Sequence, residues 1–291
     1  MSVSVTKADG TRQLFDREKV VRTCLRMGAS REIAEGVATK VEARTYDGIE
    51  TGKILQLIFR LLSKHKPAIR HLIDLRKALS TMASRPDFER FVQIVLGENG
   101  YEIAPNRLAR GKCVEHEADA IARKDGVTYF VEIKHHRNFH TPTGLDESRI
   151  ARAIIEDVTE GYELGLNDLE VSKAMIVCNT KFSEHAKRYG ECRGVLQMGW
   201  SAPPYRSLQD LIEEKRLYPV TCLKGLDVAT KERMASAGIL LLRQLVERSL
   251  EELAKQTGIP EETLEPVVRK ARIAFSSLET TPRRASDLSV G

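Results

Sequence analysis

The stretch from Glu117 to Lys134, EADAIARKDGVTYFVEIK, constrains the fold of this chain more than any other. Asp125-Gly126 is a dipeptide favoured in two-residue hairpin turns, whose central residues need positive φ, and a run rich in Val, Tyr, Phe and Ile follows it. Pairing Lys124 with Val127 and counting outward places Asp119 directly opposite Glu132, with side chains about 5 Å apart on one face. Lys134 lies two residues further on, so the strand period of two puts its ammonium on the same face. Like charges directly opposite one another destabilise a strand pair, and a divalent cation between them gives the arrangement a purpose. The alternative is a solvated hairpin face on which Glu117 and Lys134 form a surface ion pair of little energetic value. Tyr129, Phe130, Val131 and Ile133 favour the first reading, because they make the second strand apolar on both sides of Glu132, as a central strand requires.

Around this hairpin stand a helical stretch PDFERFVQIVLGENGY at 86–101, a strand-like AMIVCNT at 174–180, and KFSEHAKRYG directly after it. On these residues and VEIK at 131–134, the chain from about Arg85 to Tyr218 resembles the PD-(D/E)XK nucleases, in particular the Mrr-like restriction endonuclease group. The resemblance implies a restriction-endonuclease-like α/β/α domain with a mixed central sheet. It implies that Asp119 and Glu132 bind Mg²⁺ or Mn²⁺ and that Lys134 orients or activates the attacking water. Glu89, directly after Phe88, matches a glutamate that the family often adds from its first helix. Ala118 stands where the motif has proline, a departure that removes no ligand. Mg²⁺ prefers carboxylate oxygen and retains several waters. Beside a phosphodiester it polarises a phosphoryl oxygen and lowers the pKa of a bound water. His135, His136 and His140 follow without ligand spacing and read as loop or surface residues.

A length of 291 residues fits two or three domains at about 100 to 200 residues each. The segmentation expected is 1–83, 84–218, 219–276 and a disordered polar tail over 277–291. Five cysteines, Cys24, Cys113, Cys178, Cys192 and Cys222, are scattered without a CxxC pair, against a disulfide framework or structural zinc. No segment has the apolar length of a membrane span or the pattern of a signal peptide, so a soluble, cytoplasmic protein with no membrane partner is expected. The net charge of +5 permits attraction to polyanions without being diagnostic.

The first segment opens with a second hairpin, SVTKADGTRQLFD, turning at Asp9-Gly10. Pairing Ala8 with Thr11 sets Lys7 opposite Arg12, two cations that invite a phosphate. Helical periodicity then runs from the N-cap candidate Asp16 through Leu25, over Arg31 to Ala43, and onward from Thr51. On VTKADG at 5–10, FDREKV at 15–20 and GIETGKI at 48–54, residues 3–82 resemble the ATP-cone, a small, mainly helical nucleotide-sensing module. The resemblance implies that Lys7, Lys19 and Thr51 contact the phosphates or ribose of ATP or dATP. Asp9 and Gly10 would shape the loop over them, with Arg12 beside it, and homo-oligomers would form through the cone. Ala8 departs from the arginine many cones carry.

Residues 219–275 carry Gly225 and Gly258 before helix starts, with Ala229, Met234, Leu241, Leu245, Leu253 and Val267 at helical spacing, and predict two tandem helical hairpins. They resemble a helix-hairpin-helix unit, which implies backbone N–H contacts to DNA phosphates, although LKGLD lacks the second glycine of strong DNA-binding hairpins. Lys224, Lys231, Arg233, Arg269 and Lys270 would add phosphate contacts, and a packing or protein-binding role stays open. The whole reads as a multidomain α/β protein: an Mg²⁺-dependent DNA endonuclease governed by nucleotide binding. Its rival is a nucleotide-responsive DNA-binding regulator that keeps the nuclease fold as a scaffold.

Overall fold

The computed structural model describes residues 3–204 and 206–278. Strands β1 (Ser4–Thr6) and β2 (Arg12–Leu14) form the first hairpin with Thr6 opposite Arg12. This corrects the expected register by one residue: Lys7 donates its N–H to Thr11 O at 2.8 Å, so Lys7 faces Thr11 and not Arg12. Gly10 at φ +81° donates back to Lys7 O, which makes a three-residue loop closed by a left-handed glycine. Asp9 stabilises that form by accepting from both Thr11 N (2.9 Å) and Thr11 Oγ1 (2.6 Å).

Helix α1 (Arg17–Arg26) starts at the Asp16 cap, α2 (Arg31–Glu42) at Ser30, and each cap side chain accepts an N–H of the first turn. Strand β3 (Ile49–Glu50) runs parallel to β1, and α3 (Thr51–His65) follows at once. Val20, Val21 and Cys24, then Val37 and Val41, then Ile54, Leu57, Ile58 and Leu61 recur at helical spacing and close one small core.

The middle of the chain contains α4 (Leu75–Ser80), a turn over Ser84–Phe88, α5 (Glu89–Glu98), β4 (Glu102–Arg110), β5 (Glu115–Lys124) and β6 (Val127–Lys134). After these come α6 (Leu145–Glu163), β7 (Lys173–Cys178), α7 (Glu184–Arg193), β8 (Leu196–Met198) and α8 (Leu208–Glu214). The sheet order is β4-β5-β6-β7-β8, with an antiparallel meander through β6 and parallel pairing beyond it. Strand β6 is therefore central, as its apolar residues require. Asp125 (φ +51°) and Gly126 (φ +76°) both take left-handed φ, which gives the two-residue turn and the Lys124–Val127 pair. Phe130, Ala174, Ile176 and Cys178 pack with Ala151, Ile155 and Val158 of α6 and Ala186 of α7. The alternating Val131, Met175 and Val177 are buried on the other face of the sheet. Trp200 is half-buried, its ring centroid 5.7 Å from the Arg76 guanidinium.

The last helices are α9 (Val228–Ser236), α10 (Leu242–Glu247), α11 (Leu250–Thr257) and α12 (Glu261–Ser277), two hairpins in tandem. Their glycine turns are Gly238 (φ +72°) and Gly258 (φ +65°); Gly225 precedes α9 and joins no helix pair. The contacts group the chain into two compact units, one of residues up to Asp74 and from Cys222 onward, the other Leu75–Thr221. Within the first, Ile73 N donates to Cys222 O and Lys224 N to His71 O, while Lys66 Nζ bonds both Gly28 O and Ser277 O. Of the tail expected over 277–291, Ser277 closes α12 and residues 279–291 lie outside the described ones. Among the described residues, no helix is long and apolar enough to cross a membrane.

Candidate active site

Strands β5 and β6 pair from the Asp125-Gly126 turn as far as Ala120 opposite Val131, one step short of Asp119 and Glu132. On the other side of β5, the β4 pairing skips the same residue: Pro105 faces Ala120 and Arg107 faces Ala118, while Asn106 between them takes φ +48°. Asp119 thus sits where the ladder opens, and side chains supply what the ladder does not. Its Oδ2 accepts the N–H of Ile133 at 2.6 Å, and its carbonyl accepts Gln93 Nε2 of α5 at 2.8 Å. Its Oδ1 accepts Arg85 Nη2 at 3.2 Å, and Arg85 Nε lies 2.5 Å from Glu89 Oε1. One guanidinium bridges two carboxylates.

Glu132 and Lys134 are on β6, with Lys134 Nζ 3.4 Å from Glu132 Oε2 and 3.3 Å from Glu147 Oε2 in the first turn of α6. The structure accordingly brings Glu89, Asp119, Glu132 and Lys134 together and adds Arg85, Gln93 and Glu147. Burial pushes the carboxyls of Glu89, Asp119 and Glu132 above the usual carboxylate range, and the nearby charge of Asp119 pushes Glu89 and Glu132 further. Lys134 is raised despite its partial burial, because Glu132 and Glu147 favour its charged form. No local signal marked Glu147, thirteen residues beyond Lys134 across a loop. Arg85 and Gln93, each four residues from Glu89, lie at helical spacing from it, a pattern that pairs residues without revealing a site.

No group of three or more His, Cys, Asp or Glu side chains among the described residues forms a ready metal cage. The donor set nevertheless fits Mg²⁺, which proteins hold through one or two carboxylates with the remaining positions left to water and phosphate. Two buried carboxylates, of which Asp119 raises the proton affinity of Glu132, are the electrostatic setting a divalent cation relieves.

The histidines take other roles. His135 bonds Ser84 Oγ and Leu79 O, both at 2.9 Å, and its ring lies 4.8 Å from that of Phe88. His136 is held by Thr143 Oγ1 at 3.1 Å and by Asn179 through backbone bonds in both directions. Burial lowers both pKa values and favours the neutral rings. They are anchored, half-buried residues and not free loop ligands.

In the N-terminal segment, Thr6 pairs with Glu50, and Lys7 and Thr51 are the residues that follow where this ladder ends. Arg12 instead bonds Asp47, and Lys19 Nζ lies 3.7 Å from Asp16 Oδ2. Asp9 and Gly10 are spent on the turn. At the C-terminal hairpins, Gln244 Oε1 accepts the N–H groups of Leu240 and Leu241 ahead of α10, which occupies both donors. Glu261 and Glu262 open α12, where they repel an anion.

Residues 80–197 match the family model described as restriction endonuclease, and residues 218–273 match the one described as AF1548-like, C-terminal. An uncharacterized protein of Archaeoglobus fulgidus is 34% identical over 179 residues, spanning 61% of this chain and 96% of that relative. A second uncharacterized protein of the same organism is 55% identical over 38 residues, 13% of this chain and 81% of its own. A solved structure titled as that of a protein of unknown function, AF1548, is similar with a TM-score of 0.56 and 30% identity. It covers 70% of this chain and 99% of its own.

Proposed function

Since the chain belongs to the AF1548-like family, and its middle unit carries a restriction endonuclease domain, we propose that it is a metal-dependent DNA endonuclease with Asp119, Glu132 and Lys134 at its centre. One observation carries the reading. A buried aspartate stands at the point where both neighbouring ladders open, beside a Glu-X-Lys pair on the central strand. A structural scaffold has no use for buried like charges at a break in its own sheet.

The roles follow from the contacts. Ile133 N–H and Gln93 fix Asp119, which with Glu132 would hold Mg²⁺ or Mn²⁺. The metal, when bound, would supply Lewis acidity and a lowered pKa for its water. Lys134, held between Glu132 and Glu147, keeps a proton and a fixed positive charge where a phosphate enters. Glu89 adds negative charge from α5 beside Asp119.

The test is incubation of the full chain with supercoiled and linear DNA in Mg²⁺ or Mn²⁺, beside folded Lys134→Ala. Metal-dependent cleavage that falls at least about a hundredfold in the variant supports the reading. DNA binding by gel shift without cleavage under any of these conditions would transfer the proposal to the regulator.

The nucleotide role is a further part of the proposal and rests on the ATP-cone resemblance, with the position of Lys7 and Thr51 directly after the paired Thr6 and Glu50 in its favour. Arg12 must leave Asp47 to take part in it. Calorimetry with ATP and dATP tests binding. Gel filtration with and without a bound nucleotide tests the oligomer.

A further inference from the structure

We propose that Arg85 is a resident countercation that competes with the divalent ion for Glu89 and Asp119, so that metal binding requires its guanidinium to withdraw. The inference rests on the nuclease reading and adds a control to that site. The three acceptor atoms of Asp119 are divided among different donors. Oδ2 is taken by the Ile133 amide and the carbonyl by Gln93, both fixed parts of the fold. Oδ1 accepts from the solvent-exposed Arg85, so a metal that approaches this oxygen meets the guanidinium there. Arg85 also reaches Glu89, the other carboxylate that α5 brings to the site.

Exposure separates the fixed partners from the movable one. The side chains of Asp119 and Glu89 are 7% and 12% exposed, whereas that of Arg85 is 70% exposed. The anions are therefore set in the fold and the cation lies over them from the solvent side. Arg85 itself has extended backbone (φ −125°, ψ 137°) in the turn before α5, so its side chain leaves without unwinding a helix. Lys134 differs, because it is only 34% exposed and is held by two carboxylates. A guanidinium satisfies two carboxylates through its forked donors, and a divalent ion satisfies them through charge, so the two exclude one another at the same oxygen.

Calorimetric titration of the DNA-free full chain with Mn²⁺ tests this, comparing wild type, Arg85→Ala, Arg85→Gln and Glu132→Gln. Removing the guanidinium is expected to tighten Mn²⁺ binding by up to about fivefold, the fold-change to which loss of one exposed ion pair of about 1 kcal/mol converts. Arg85→Gln keeps a polar side chain without the charge and should tighten binding alike, which guards against a folding defect in the alanine variant. The melting temperature should also rise more on Mn²⁺ addition in both Arg85 variants than in wild type. Equal or weaker Mn²⁺ affinity in both variants overturns the competition while leaving the metal site standing. Binding that Glu132→Gln does not weaken, or no binding in any protein, overturns the metal site and the competition with it.

Discussion

Two glycine-to-alanine substitutions, both in helices, are expected to change stability in opposite directions. Gly161 lies in α6, and a Cβ there would meet Arg110 O at 2.5 Å, the Gly111 carbonyl carbon at 2.8 Å and its Cα at 2.9 Å. These are backbone atoms that cannot swing aside. They are also tied down: Asn167 Nδ2 donates to Arg110 O at 2.7 Å, and Lys112 N to Asp157 O at 3.0 Å. The Asp157 carboxylate accepts from Cys113 N and bonds His116 Nε2, both at 2.8 Å, and these bonds hold it below the usual carboxylate range. Relief to an ordinary contact of about 3.5 Å needs a shift of roughly 0.6 to 1 Å between α6 and the end of β4. Overpacking of this kind costs roughly 1–3 kcal/mol, and the rigid neighbours place it at the upper end. Helix propensity returns about 1 kcal/mol, so Gly161→Ala should lose about 2 kcal/mol and roughly 5 °C in Tm. Gly36, in the middle of α2, has nothing within 4 Å of its Cβ position, and Gly36→Ala should gain about 1 kcal/mol. Urea unfolding followed by fluorescence of Trp200, the single tryptophan, reports the Gly161 change, and circular dichroism reports the Gly36 change. A Gly161→Ala protein as stable as wild type would refute the claim that α6 is pinned against β4.

Other consequences concern the acidic site. Burial raises the Glu132 carboxyl, so its contribution to folding is present below the ordinary carboxylate range and is lost as pH rises through the raised value. The metal-free Glu132→Gln protein should therefore be more stable than wild type near about pH 8, with the gain shrinking toward about pH 4, as paired urea titrations would reveal. Gln93→Ala removes the 2.8 Å bond to the Asp119 carbonyl and should cost about 1 kcal/mol of stability. On the nuclease reading it should also slow cleavage by roughly tenfold to a hundredfold through misplacement of Asp119, and unchanged cleavage would deny Gln93 its positioning role.

The two Asp-Gly hairpins mark how far local sequence reaches. At 125–126 both residues adopt left-handed φ and the counted register holds through Ala120 and Val131. At 9–10 only the glycine does, because Thr11 offers Asp9 an amide and a hydroxyl, and the pairing slips by one residue. Asp119, Glu132 and Lys134 were legible because a period of two and one turn relate them. Arg85, Gln93 and Glu147 reach the site by the packing of α5 and α6 against the sheet, and no local period encodes that. Asn106 with its left-handed φ opens the ladder beside Asp119, an effect of the third strand that a two-strand count omits.

The hydrogen bond from Ile73 N to Cys222 O joins residues that flank in sequence the whole unit holding the restriction endonuclease match. During synthesis the residues up to Asp74 emerge first, yet their unit stays incomplete until the final helices leave the ribosome. The intervening unit has all its strands in hand well before that. Closing so long an excursion costs little more than closing a short one, since the entropic term grows only logarithmically with length. Birth order and completion order are therefore reversed for the two units, and a nascent chain stopped between Thr221 and α12 holds every residue of the Leu75–Thr221 unit while the other is still unfinished.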